Sequence, residues 1–153
     1  MIKTIMKAAF ACAFFAASVL PLHASEGGTA EEAKTMVYAV IDMVEAEGTE
    51  KTFEAVTAKK FVDRDLYPFM FKMDGTIVAH GAKPSLVGKN ISGIKDAEGT
   101  FFVKEMIKLA AAGGDGWVDY KWPNPVSNKI EDKSAFIENI GSDYFVGVGI
   151  HPK

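Results

Sequence analysis

The sequence predicts an α+β domain, a five-stranded antiparallel sheet with a long N-terminal helix packed on one face. Three observations predict it. An apolar stripe at helical spacing begins just after residue 29 and ends at Gly48. Five strand-like runs follow, several joined by tight-turn signals. The remaining helical periodicity is confined to residues 49–60 and 100–112, so helices and hairpins are segregated as in an α+β domain. The chain has 153 residues, enough for one domain and too few for two.

The first 24 residues are expected to lie outside this fold. Lys3 and Lys7 form a positive start, Ala8 to Leu20 is apolar and uncharged, and Leu22-His23-Ala24 is an acceptable cleavage site. The apolar run is too short to span a bilayer, which takes about 20 residues. It reads as a cleaved signal peptide over 1–24, leaving a domain over 25–153 in the periplasm or outside the cell. Cys12 sits inside the run instead of at its end, which argues against a lipid anchor. It is the only cysteine, so the exported chain has no thiol for disulfides, covalent haem or cysteine-ligated zinc. Removing Lys3 and Lys7 lowers the 17 basic residues to 15 against 20 acidic ones, a net charge of −5. Such a surface suits neither nucleic acid nor anionic membrane.

Each element has its own signal. Thr29-Ala30-Glu31-Glu32 has capping-box spacing, and Ala33, Met36, Val37, Val40, Ile41 and Val44 continue it as one stripe. Thr49 to Lys60 predicts a short helix anchored by Phe53 and Val56. Asp65 to Met73 and Thr76 to His80 predict a hairpin about Asp74-Gly75. A two-residue loop would pair Phe71 with Val78 and Phe69 with His80. One face then carries Tyr67, Phe69, Phe71, Val78 and His80, and the other Leu66, Met70, Ile77 and Ala79. The aliphatic face suits the long helix, and the aromatic face with its histidine suits a small polar guest.

Gly81 to Glu98 has no clean period and many turn residues, as functional crossing loops do. Thr100 to Ala112 returns to helical spacing through Phe102, Met106 and Ala110. Gly116 to Trp122 then gathers both tryptophans of the chain, a tyrosine and a lysine into one strand, stopped by Pro123 and Pro125. Strands at Ile130 to Ile140 and Tyr144 to Ile150 complete the set. Five strands with a helical insertion after the second have the layout of a PAS-like sensor sheet.

Seven short runs together resemble one family, in its order and spacing. They are Asp65-Leu66-Tyr67, Met73-Asp74-Gly75-Thr76, Ala79-His80-Gly81, Leu86-Val87-Gly88-Lys89-Asn90, Lys95-Asp96-Ala97-Glu98-Gly99, Gly116 to Pro125 and Val146-Gly147-Val148-Gly149. The chain is similar in these to the single Cache domain, type 2. The resemblance implies an extracytoplasmic ligand-sensing module with small organic acids as ligands, used in chemoreceptors and sensor kinases. Those receptors continue into a membrane helix and a signalling domain, whereas this sequence stops at His151-Pro152-Lys153. A free-standing binding protein is therefore expected, its partner a membrane sensor, chemoreceptor or transporter.

A small carboxylate entering a pocket must be met by donors. Tyr67, Phe69 and His80 on the hairpin, with Tyr120 and Trp122 on their strand, are the candidate ligand-binding residues. Lys121 points to the other side of a regular strand and reaches the pocket only through a bulge, with an ion pair to Asp119 as its ordinary role. Lys89 and Asn90 are expected to fix the crossing loop. Asp96 and Glu98 fall short of a calcium cage. No serine elbow, phosphate loop or paired histidine motif is present, so no enzyme, cofactor or metal is expected. Two rivals remain, an interaction module with a filled pocket and an enzyme on the same scaffold.

Overall fold

A computed structural model describes residues 27–152. The signal peptide expected over 1–24 lies outside these residues. Among them, no helix is long and apolar enough to cross a membrane. The elements are α1 (Ala30–Glu47), α2 (Thr49–Thr57), β1 (Pro68–Lys72), β2 (Ile77–His80), a 3-10 turn at Pro84–Leu86, α3 (Phe102–Ala111), β3 (Gly116–Pro123), β4 (Ile130–Ile140) and β5 (Tyr144–Ile150).

The predicted caps of α1 form: Thr29 Oγ1 accepts from the Glu32 N–H, and the Glu32 carboxylate accepts from the Thr29 N–H. Gly48 ends the helix at φ 88°, a backbone region where a side chain is strained. The five strands form one antiparallel sheet in the order β2-β1-β5-β4-β3. Strand alternation divides its side chains between two cores. Behind the sheet, Leu66, Met70, Phe136, Val146 and Val148 pack under Ala33, Val37 and Val40 of α1. In front, Phe69, Phe71, Ile137, Phe145 and Val118 pack under Val103, Met106 and Ala110 of α3.

The hairpin departs from the expected register at one point. Phe69 pairs with His80 and Met70 with Ala79 as expected, but a bulge then sets Phe71 against Ile77. Lys72 N–H donates to Thr76 O and Gly75 N–H to Lys72 O, so the loop holds Met73, Asp74 and Gly75 instead of two residues. The bulge exchanges two aliphatic side chains. Ile77 joins the front core and Val78 the rear.

The Val-Gly-Val-Gly run of β5 follows from the same alternation. Its valines face α1, and its glycines leave room in front. A Cβ on Gly147 would lie 2.4 Å from the Phe69 ring and 2.7 Å from Ile137 Cδ1. Phe69 is buried and edge-on to Phe71, so its ring must shift within the front core to give way. Gly147→Ala should therefore destabilise the domain by about 2 kcal/mol, read as a lower urea midpoint at unchanged slope.

Candidate functional site

The candidate residues meet at one end of the front face, in a row that crosses the sheet. His80 stands on β2, and Tyr67 precedes β1 with its ring stacked on the imidazole at 5.2 Å. Next in the row is Gly149 of β5, which has no side chain. Lys133 of β4 fills that gap: a Cβ on Gly149 would fall 2.2 Å from Lys133 Cε. The lysine thus lies across β5 and brings Nζ to 3.8 Å from the centre of the Tyr67 ring. Tyr120 pairs with Lys133 across β3 and β4 and closes the row.

Above the row lies a small cavity lined by Tyr67, Phe69, His80, Tyr120 and Trp122, with Phe102 and Met106 of α3 as its cover. Phe102 stacks flat on Tyr120 at 4.5 Å. Free space is about 10 Å³, room for a single water. The Trp122 indole lies close enough to the Tyr67 hydroxyl to work against the upward push of burial on its pKa.

The structure brings together five of the six candidates: Tyr67, Phe69, His80, Tyr120 and Trp122. Lys121 is not brought to them. It stays on the opposite face, because β3 runs without a bulge through Trp122. Its ammonium pairs with Asp132 and with Glu98 at 3.2 Å, and not with Asp119. Asp96 explains the loop run around it. Its carboxylate accepts from the N–H groups of Glu98, Thr100 and Lys121, pinning the loop to the edge strand. Asn90 likewise fixes its own turn through Asp74 O and Ser92. Among the described residues, no group of three His, Cys, Asp or Glu could hold a metal ion.

His80 is a neutral donor. Its Nδ1 accepts from the N–H groups of Ala82 and Lys83, at 3.2 and 3.0 Å. The ring proton therefore sits on Nε2. Burial, with Lys133 and Lys83 nearby, pushes its pKa down to about 3. Backbone groups, not a carboxylate, orient this imidazole, so it lacks the partner that would make it a general base. Burial also pushes the Tyr67 and Tyr120 hydroxyls up, so both stay protonated.

Lys133 escapes a reading of the sequence, since a lysine in mid-strand reads as exposed. Its phase is the signal: it shares a face with Ala135 and Ile137. The residue is 1% exposed, and Nζ has no hydrogen-bond partner. Burial pushes its pKa down to about 7, against the opposing pull of the Asp65 charge. Asp65 is itself buried and committed elsewhere, accepting from Gly28 N–H at 2.6 Å and facing His151 Nδ1 at 3.2 Å. Burial would raise its pKa, but the His151 ring and the Gly28 N–H more than offset that and lower it.

Comparison with known proteins agrees with this architecture. The sensor histidine kinase MctS of Rhizobium johnstonii is 28% identical over 106 residues, which are 69% of this chain and 23% of the kinase. The chain thus spans about a quarter of that relative's length. The structure of a methyl-accepting chemotaxis protein from Vibrio parahaemolyticus is similar with a TM-score of 0.69 at 26% identity, covering 79% of this chain and 86% of that one. A Cache chemosensory domain solved for its carboxylic acid recognition has the same fold, with a TM-score of 0.64 at 21% identity over 80% of this chain and 88% of that one. The sequence profile of the Cache domain matches residues 32–151. With a matching profile over most of its length and the five-stranded sheet and long helix in place, the chain belongs to the Cache family of extracytoplasmic ligand-sensing domains.

Proposed function

We propose that this protein is an exported sensor-type domain that binds a small organic acid of two to four carbons on the front face of its sheet. The observation that carries this reading is Lys133, a buried amine with no hydrogen-bond partner on an otherwise neutral aromatic wall. An isolated charge in such a place is unfavourable, and a carboxylate is the counter-ion that relieves it. His80 Nε2–H, the two tyrosine hydroxyls and the Trp122 indole supply uncharged donors for the second oxygen. Tyr67 stands between Lys133 and the cavity, so the ligand displaces the Trp122–Tyr67 contact and swings the tyrosine to meet the ammonium. The fold is compatible with such a guest, as the carboxylic acid recognition of the solved Cache chemosensory domain illustrates.

The test is thermal unfolding of the purified protein against acetate, propionate, lactate and pyruvate, each beside its amide. A ligand at about a hundred times its dissociation constant adds roughly 2.7 kcal/mol, a midpoint shift on the order of ten degrees in a domain of this size. A shift with an acid and none with its amide supports the proposal. Tyr120→Phe should then weaken binding by about tenfold or more, the worth of one hydrogen bond to a charged group, with the fold intact. Normal binding by both Tyr120→Phe and His80→Ala would remove the site from this face.

The small free space favours a second reading, in which the aromatic wall is only packing and the domain acts by contact with a membrane sensor or transporter. A flat response to the whole panel would select it.

A further inference from the structure

The cavity is too small to hold an acid as it stands, so one must part its walls to enter, and the surrounding surface points to the side, on the acid-binding reading above. Two surface grooves share a wall residue with the cavity. One touches it through Tyr120 and runs along the β3–β4 edge past Trp117, Asp119 and Asp132. The other, about 450 Å³, touches it through Tyr67 and runs between the Gly81–Lys83 segment and Pro123–Pro125, with Lys59 on its rim.

Their charges differ in sign. The first groove is lined by Asp119 and by Asp132, which pairs with Lys121, while the Lys133 amine reaches away from it to the Tyr67 ring. The second contains Lys59 and Lys83 and no acidic side chain. In a chain with 20 acidic residues against 17 basic ones, a small area free of carboxylates and carrying two ammonium groups is where an anion is drawn.

The mechanics also favour the second groove. Lys83 Nζ stands 5.8 Å above the Trp122 ring, so the outer cation rests on a side chain that lines the inner cavity. The N–H groups of Ala82 and Lys83 hold His80 Nδ1, so the groove's lip and the cavity's imidazole move as one piece. Pro123 and Pro125 stiffen the opposite lip, because their φ angles are fixed.

We infer that small organic acids enter through the groove between Gly81–Lys83 and Pro123–Pro125, attracted by Lys59 and Lys83 and admitted when Lys83 and Trp122 part. Trp122 is then both wall and reporter.

Stopped-flow mixing of the purified protein with propionate and with pyruvate, followed by tryptophan emission, tests this. Lys83→Glu combined with Lys59→Asn should slow association about tenfold at low ionic strength, with the difference shrinking as salt is added. Dissociation should change far less. Asparagine suits position 59, where φ is 64°. Asp119→Lys, a charge reversal in the other groove, should leave the association rate within about twofold. Faster association with Asp119→Lys by more than about twofold, or no slowing by the first variant, would overturn the route while the acid reading stands. No response of the wild-type protein to either acid in emission or thermal midpoint would overturn both together.

Discussion

Lys133→Met should raise the unfolding midpoint of the free protein at pH 7 and abolish its response to every acid in the panel. The amine is held at about 7 in the folded domain and returns to 10.5 when the chain unfolds. That difference corresponds to roughly 4 kcal/mol of stability lost at neutral pH. Methionine follows the same path over Gly149 and packs against Tyr67 with no charge to bury. A gain of about 2 to 4 kcal/mol is expected, several degrees or more in midpoint.

The sign with pH gives an independent check. Between pH 7 and 10.5 the unfolded amine holds its proton and the folded one does not, so wild-type stability rises with pH through that window. Below pH 7 both are protonated and the penalty is full and constant. The advantage of the variant should therefore be largest at and below pH 7 and shrink towards pH 10. Urea denaturation of both proteins at pH 6.5 and pH 9.5 measures it. A variant less stable than wild type at pH 6.5 would show that Lys133 is a structural support. A stable variant that no longer binds would place it among residues that trade stability for function.

Acid binding should weaken steeply above pH 7. A carboxylate beside Lys133 keeps the amine protonated, so a ligand arriving above pH 7 must bring a proton with it. Affinity then falls about tenfold per pH unit above 7, until the pH reaches the amine's value in the complex. Below 7 it is level. The other groups around the amine cannot produce this profile. His80 is neutral down to about pH 3, the Tyr67 and Tyr120 hydroxyls are pushed upward by burial, and Asp65 is held below its ordinary range. Calorimetry at pH 8.5 in buffers of different ionisation enthalpy should show uptake of close to one proton per acid bound. A dissociation constant unchanged from pH 7 to pH 9 would separate Lys133 from the ligand and leave only the neutral donors.

The sequence is most legible where a signal is local. The α1 capping box, the Asp-Gly turn and the stop at Pro123 depend on residues close in the chain, and each forms where expected. The two faces of the hairpin are legible for Phe69, Met70, Ala79 and His80, since alternation needs no knowledge of the turn. Ile77 and Val78 are misread because Asp-Gly serves two-residue loops and longer bulged ones alike, and the extra residue reverses the phase. Tyr67, Phe69, His80, Tyr120 and Trp122 share a face by strand phase, so their meeting is readable once the sheet is assumed. Lys133 is not. Its burial depends on Gly149 beside it and Tyr67 one strand further on, partners set by β4–β5 and β1–β5 register that no local pattern specifies.

Asp65 has a mechanical meaning beyond its charge. One carboxylate holds the backbone N–H of Gly28, two residues before α1, and the ring of His151, just past β5. Gly28 and His151 are therefore held side by side by this carboxylate. A pull applied to both segments in the same direction moves the domain as a body. A pull that separates them loads this carboxylate, together with the Arg64 guanidinium that donates to Gly27 O. Such a load reaches Tyr67, two residues along the chain from Asp65, and so the wall of the cavity.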